Sequence, residues 1–222
     1  MKKFLRTIAI LFLSISALFN IAGGAGTTCV AINPIKFGFE GIAQAQWLYA
    51  IFVVTTLALG IMMARAVFLL VKGRANGYRY AIIALVSAIL VGVIHILVSR
   101  SLRDGSSMPV DGVVYTTVLT LIIFLVLRIP AIWQQVDFSK SQPGENQAAG
   151  GAAAIVTGLL SLTTQYWVAA SHTIGGTNYG AAFLLTTSGI GLGLILLGAG
   201  LIIHTRLAAP SSRSLAQEES QA

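Results

Sequence analysis

Charge is what this chain has least of. Lys, Arg, Asp and Glu supply 9% of its 222 residues, 56% are hydrophobic, and the mean hydropathy is +0.84. A water-facing domain carries roughly a quarter charged residues, so most of this surface is predicted to face lipid. Cysteine occurs once, as Cys29, which excludes an intramolecular disulfide framework. The five prolines (Pro34, Pro109, Pro130, Pro143 and Pro210) fall outside or at the edges of the apolar runs. No sharply broken helix of the sort that builds many transporter sites is therefore expected. None of the seven acids (Glu40, Asp104, Asp111, Asp137, Glu145, Glu218 and Glu219) lies inside an apolar run. Proton-coupled transporters commonly bury carboxylates in the membrane, and their lack argues against that class. Also missing are H-E-x-x-H, the G-x-S-x-G elbow and a phosphate-cradling Gly-Lys-Ser/Thr loop. The reading leans away from an enzyme.

What is present is a series of apolar runs, near 7–22, 47–71, 80–99, 112–129, 152–170 and 181–203. A helix needs about 20 such residues to cross the hydrocarbon core, and the second to sixth runs qualify. The first is short. It follows Met1-Lys2-Lys3-Phe4-Leu5-Arg6 and precedes Ala22-Gly23-Gly24-Ala25-Gly26. That pattern suits either a retained helix or a cleaved signal peptide, and the retained helix is preferred. The expected fold is an all-α polytopic integral membrane bundle over residues 1–207, with six transmembrane helices, or five if residues 1–25 are removed. Residues 208–222, small and polar, read as a disordered cytoplasmic tail. The stretch 134–151 reads as a flexible cytoplasmic loop. The stretch 23–46, with Val30, Ile32, Ile35, Phe37 and Phe39, reads as a segment on the membrane surface or a cap over the bundle.

The basic residues set the orientation. With the N-terminus in the cytoplasm, six spans return the C-terminus there. Of the 14 Lys and Arg residues, only Lys36, Arg100 and Arg103 then lie outside. The positive-inside rule selects this arrangement, in a bacterial-type cytoplasmic membrane. It also accounts for the +7 charge without nucleic acid as a partner. Trp47, Tyr49, Tyr115, Tyr166 and Trp167 fall at outer span ends, and Tyr78, Tyr80 and Trp133 at inner ones, as interfacial anchors. Arg65, the deepest cation, lies about 10 Å along the helix from Lys72 and is expected to snorkel to lipid headgroups.

Lipid supplies no hydrophobic drive for helix association, so small residues mark close contacts. The last run places Ala182, Thr186, Gly189, Gly193 and Gly200 on one stripe. Similar stripes are Ala84, Ala88 and Gly92; Ala154, Gly158 and Ser161; and Thr56, Gly60 and Ala64. Packing within the chain is the preferred use of these stripes, ahead of a homo-oligomer face.

His95 continues the stripe Ala88, Gly92, His95, Ser99 and should turn inward near the outer end. Ser161 and Gln165 lead to His172 on the same side, where Cys29 also lies. A polar pocket of His95, Ser99, Gln165 and His172 is expected, held by ordinary interhelical hydrogen bonds. The sharper alternative is a metal held by Cys29, His95 and His172, or a haem on His95 and His172. These residues lack any characteristic ligand spacing, so no cofactor is predicted outright. The leading functional expectation is a non-enzymatic scaffold, assembly or accessory subunit, with the bilayer, other membrane subunits or a second copy as partners. A membrane redox or metal-handling protein is the alternative, and a small-solute transporter stands third.

Reporter fusions at Gly144 and Ala222 should be active with a cytoplasmic reporter and silent with a periplasmic one. The opposite result at both points overturns the orientation. N-terminal sequencing that begins between Gly23 and Thr27 would leave five spans.

Overall fold

The structure is a computed structural model and describes residues 2–138, 144–174 and 176–207. It is almost wholly helical. Five helical segments are long and apolar enough to cross a membrane: Lys3–Ile32, Glu40–Val71, Gly77–Leu102, Val110–Leu127 and Tyr179–Leu207. Helix α1 runs Lys2–Ile32, α2 Gln46–Val71, α3 Gly77–Leu102 and α4 Val110–Leu127. A short α5, Pro130–Val136, precedes α6, Glu145–Leu162. Two single turns, α7 (Thr164–Trp167) and α8 (Ala169–His172), lead into a two-stranded hairpin, β1 (Thr173–Ile174) and β2 (Thr177–Asn178). Helix α9, Leu184–Leu207, closes the described chain. Prolines punctuate these elements: Pro109 precedes α4, and Pro130 opens α5 where its missing N–H costs nothing.

Helix α1 is the central post. It touches α2, α4 and α6, while α2 packs on α3, α3 on α4, and α9 on α6. Ala9, Ile10, Leu13, Met63, Leu70, Leu85 and Phe124 form a sealed apolar layer. Ile61, Leu90, Leu97, Leu119 and Leu196 point outward. Large apolar side chains inside and outside alike are what a bundle in a lipid solvent requires.

The first apolar run was expected to end near residue 22, yet α1 continues to Ile32. Its glycines are contact points within the helix and do not break it. A methyl added at Gly24 would lie 2.9 Å from Leu57, and one at Gly23 would lie 3.1 Å from Val113. The fifth run was expected at 152–170. The helix there begins at Glu145 and stops at Leu162. Its polar opening (Glu145, Asn146, Gln147) keeps it out of the group that meets the length and hydropathy needed to span. The flexible loop expected at 134–151 is also revised. Residues 139–143 lie outside the described residues, but Val136, Asn146, Ala149, Gly150 and Gly151 are buried. The tail expected at 208–222 lies outside the described residues as well.

Polar bonds hold this arrangement at two levels. The Arg6 side chain is only 6% exposed and pairs with Glu145 at 2.6 Å. It also donates to the Asp137 carbonyl at 3.0 Å. Asn146 donates to the carbonyls of Leu70 at 3.0 Å and Phe138 at 3.2 Å. Deeper in the bundle, Ser16 and Thr120 share a hydrogen bond of 2.7 Å. Asn20 donates to the Ser16 carbonyl at 2.8 Å and to Thr117 at 3.2 Å. Each bond offsets the roughly 1–3 kcal/mol that an unsatisfied buried donor costs. Of these side chains only Arg6, at Nε, and Asn146, at Oδ1, keep a buried atom without a partner among the described residues.

The glycine stripe on the last helix is corrected. A side chain at Gly189, Gly193 or Gly200 would meet nothing within 4 Å. The helix turns Gly191 and Gly198 inward instead. A methyl at Gly158 would sit 2.6 Å from the Gly191 carbonyl oxygen, and one at Gly151 2.7 Å from that of Gly198. Elsewhere, a methyl at Gly60 would lie 2.7 Å from the Ile21 side chain, and one at Gly92 would strike Val114. Ala64, placed on the Gly60 stripe, is exposed.

Gly158→Ala should lower thermal stability in detergent by about 1–3 kcal/mol, the usual cost of overpacking. Gly193→Ile should leave the melting temperature almost unchanged. Arg6→Ala should cost roughly 3 kcal/mol, the low end for breaking a buried pair, since Glu145 keeps 21% exposure. Lys3→Ala should cost about 0–1 kcal/mol, because Lys3 is 78% exposed at 3.5 Å from the same carboxylate. Equal losses in the last two variants would refute the assignment of Arg6 as the holding partner.

Candidate functional site

At the end of the bundle opposite Arg6, the helices diverge around two adjoining hollows. The inner one, about 20 Å³, is bounded by Asn20, Thr27, Thr56, Gly92, His95 and Thr117 among others. The second, about 50 Å³, is bounded by Thr27, Cys29, Tyr49, His95, Arg103, His172 and Tyr179 among others. His95, Thr27, Pro109 and Val110 border both. His95 therefore stands at the junction.

The position of His95 follows from its neighbours. On α3 the small residues Ala88 and Gly92 precede it on the same face, so the helix comes close to α4 and α2 there. The imidazole is 4% exposed. It stacks on Phe52 with ring centroids 4.2 Å apart and 16° between planes. Tyr49 meets it edge-on at 5.3 Å. Tyr49 is itself fixed by a 2.8 Å hydrogen bond to Ser99, one turn beyond His95. Two aromatic rings and one serine thus hold the imidazole in a single attitude. Tyr49 was expected as an interfacial anchor, but it is 2% exposed and serves as the clamp on His95.

The wall of the second hollow comes from several elements. Helix α1 supplies Thr27 and Cys29, the latter half-buried and not disulfide-bonded. Arg103 lies with its guanidinium 4.8 Å from the Phe39 ring centre and donates to the Met108 carbonyl at 3.1 Å. His172 reaches Gly26 so closely that a methyl there would fall 2.6 Å from its Nε2. Beside this, Arg100 donates to Ser107 and Asp111 at 2.9 Å each, which pins the chain between α3 and α4. Asp111 is thereby tied into a structural bond.

The structure brings Cys29, His95 and His172 to one hollow. It does not bring in the other two members of the expected polar pocket. Ser99 is fully buried against Tyr49 and supports His95 from behind. Gln165 borders neither hollow, and its carbonyl accepts from Asn178 at 3.3 Å. The reason is the helix break after Leu162, which redirects Gln165 away from the face it would hold on a continuous helix. Among the described residues, no three of His, Cys, Asp and Glu converge closely enough to hold a metal ion. The space also falls well short of the roughly 300–1,000 Å³ typical of pockets for drug-sized ligands.

Arg103 was expected in the loop beside this cluster, whereas Asn20, Thr27 and Thr56 were not anticipated as lining residues. Asn20 had a visible signal, as the one amide within the first apolar run. Thr56 had been read as a packing residue only. Arg65 is exposed, with its guanidinium 5.3 Å from the Tyr80 ring centre, a contact an arginine keeps while its charge stays in a polar layer. Comparison with protein-family models, curated proteins and solved structures gives no match for this chain.

Proposed function

We propose that this chain is a non-enzymatic subunit of a membrane assembly, working as a scaffold, assembly factor or accessory subunit. In this reading it crosses a bacterial-type cytoplasmic membrane six times, with α6 as the fifth span and both ends of the chain in the cytoplasm. The Arg6 end of the bundle is cytoplasmic and the His172 end is outside. The short polar-headed α6 can serve as a span because α1, α2 and α9 surround it and its polar head is bonded to Arg6 and to the carbonyls of Leu70 and Phe138.

One observation carries the subunit reading. The ion pairs and most side-chain hydrogen bonds between helices serve to hold those helices together. Glu145 pairs with Arg6 from the far end of the chain, and Asp111 pairs with Arg100 across the turn between α3 and α4. Ser16, Asn20, Thr117 and Thr120 bond one another. Helix α9 keeps most of its length uncovered, its spanning segment being 11% buried.

A second reading, metal handling at the outer face, draws on the soft or borderline donors Cys29, His95 and His172, which border one hollow but would have to move closer together to share an ion. Near-stoichiometric copper or zinc, lost in both His95→Ala and His172→Ala, would establish it.

Affinity purification of the tagged chain in mild detergent, followed by a quantitative protein inventory, tests the leading reading. One or more membrane proteins should co-purify at a fixed ratio through a second chromatographic step. Gly193→Ile, placed on the uncovered face of α9, should lower that ratio without changing the melting temperature. A chain that purifies alone, monomeric and fully stable would defeat the subunit reading.

A further inference from the structure

The imidazole of His95 is 96% removed from solvent, yet neither ring nitrogen has a hydrogen-bond partner among the described residues. Its faces are occupied by Phe52 and Tyr49, and its side chain borders both hollows. Two further polar groups are left open on the inner hollow. Thr56 makes no side-chain hydrogen bond among the described residues, and Asn20 uses its amide NH₂ while its carbonyl oxygen accepts nothing. Three incompletely bonded polar side chains on one buried space imply an occupant that both donates and accepts. Proteins rarely leave such groups bare.

We infer that the two hollows form one hydrated binding pocket, with His95 at its centre, for a small uncharged hydrogen-bonding solute of the amide, urea or short-alcohol class. Charge sets the class. Neither hollow is lined by a carboxylate, so nothing there balances a cation. Arg103, the cation at the mouth, is turned onto the Phe39 ring and the Met108 carbonyl; it borders only the second hollow, and burying an unpaired ion beside His95 is costly. Size sets the limit. A water needs about 10–15 Å³ of such space, so the inner hollow of about 20 Å³ takes one water and the second, of about 50 Å³, takes a handful of non-hydrogen atoms. Binding closes His95 to Asn20 and Thr56 through the solute or through one retained water. The pocket is blind, because Leu13 and Phe124, both fully buried, seal the layer beneath Ser16 and Thr120. The inference stands apart from the subunit reading. It uses the proposed orientation only to say that the solute arrives from outside.

The single cysteine provides the assay, because Cys29 borders the second hollow. The full-length protein in liposomes is treated with methyl methanethiosulfonate, a small neutral thiol reagent, and the rate of Cys29 modification is followed by mass spectrometry. Formamide, acetamide, urea and ethanol are added in turn, with formate and methylammonium as charged controls at matched concentration. At least one neutral solute should slow the reaction about threefold once present at twice its dissociation constant, while the ions should not. His95→Phe keeps the stack on Phe52 and removes the ring nitrogens, and it should abolish the protection. His95→Gln restores a donor and an acceptor and should recover part of it. Modification rates unchanged by every neutral solute in folded protein, or protection that survives in His95→Phe, would overturn the proposal. Protection by zinc or copper alone would also overturn it, in favour of a metal site. A membrane-impermeant thiosulfonate applied to each face separates the two claims: reaction of Cys29 only from the cytoplasmic side refutes the orientation and leaves the pocket standing.

Discussion

The pair between Arg6 and Glu145 links residues 139 positions apart and sets where the second half of the chain can go. A guanidinium with 6% exposure cannot remain alone in a low-dielectric interior. It needs a carboxylate, and Glu145 at the head of α6 supplies it. The next residue, Asn146, completes the attachment by bonding the last turn of α2. Two consecutive polar side chains therefore deliver a helix of modest hydropathy to the side of α1. Once α6 is there, its glycine face is offered outward, and α9 has a surface on which to pack. Packing then secures what the polar bonds position: Ala149 and Ala153 enter the core shared with α1 and α2, and Gly150 lies against Val71.

Helix α1 carries polar groups at three depths, and each does something different. Arg6 recruits α6. Ser16 and Asn20 fasten α4 through Thr117 and Thr120. Thr27 and Cys29 line a hollow, and among the described residues they bond nothing across it. Between the first two levels lies an apolar layer of Ile10, Leu13 and Phe124, where Ser14 bonds only its own helix, and between the last two the helices have begun to spread. The gradient from sealed to open along a single helix places His95 where a buried ring can still face a cavity.

Much of this was legible from the residues. Scarce charge and long apolar runs gave the membrane class and the approximate positions of α2, α3 and α4. The register Ala88, Gly92, His95, Ser99 placed those four on one face. The aromatic clamp was not legible, because Phe52 and Tyr49 come from another helix and their apposition depends on how α2 and α3 cross. The early end assigned to α1 lies where the strongly apolar run gives way to Ala22-Gly23-Gly24-Ala25-Gly26, small residues that also suit a cleavage site. A helix in lipid tolerates glycine and gains close contact from it, so hydropathy alone misplaced the end. The wrong face on α9 has a related origin. That helix bears two sets of small residues, and the Gly189 and Gly193 pair shows the more familiar spacing. Only the partner's own glycines, at positions 151 and 158, decide in favour of 191 and 198.

Those four glycines act as a vernier. In antiparallel α6 and α9, Gly151 meets Gly198 and Gly158 meets Gly191, so both contacts form in one vertical alignment only. Sliding α9 by seven residues, about 10 Å, would preserve one close approach and replace the other with bulky side chains against backbone. Intermediate slips lose both. The depth of α9 is thus graduated by the backbone itself, independently of lipid thickness or of any charge at its ends. A bilayer somewhat thinner or thicker than the helix would have to adapt to the pair, because the pair cannot shear to suit the bilayer.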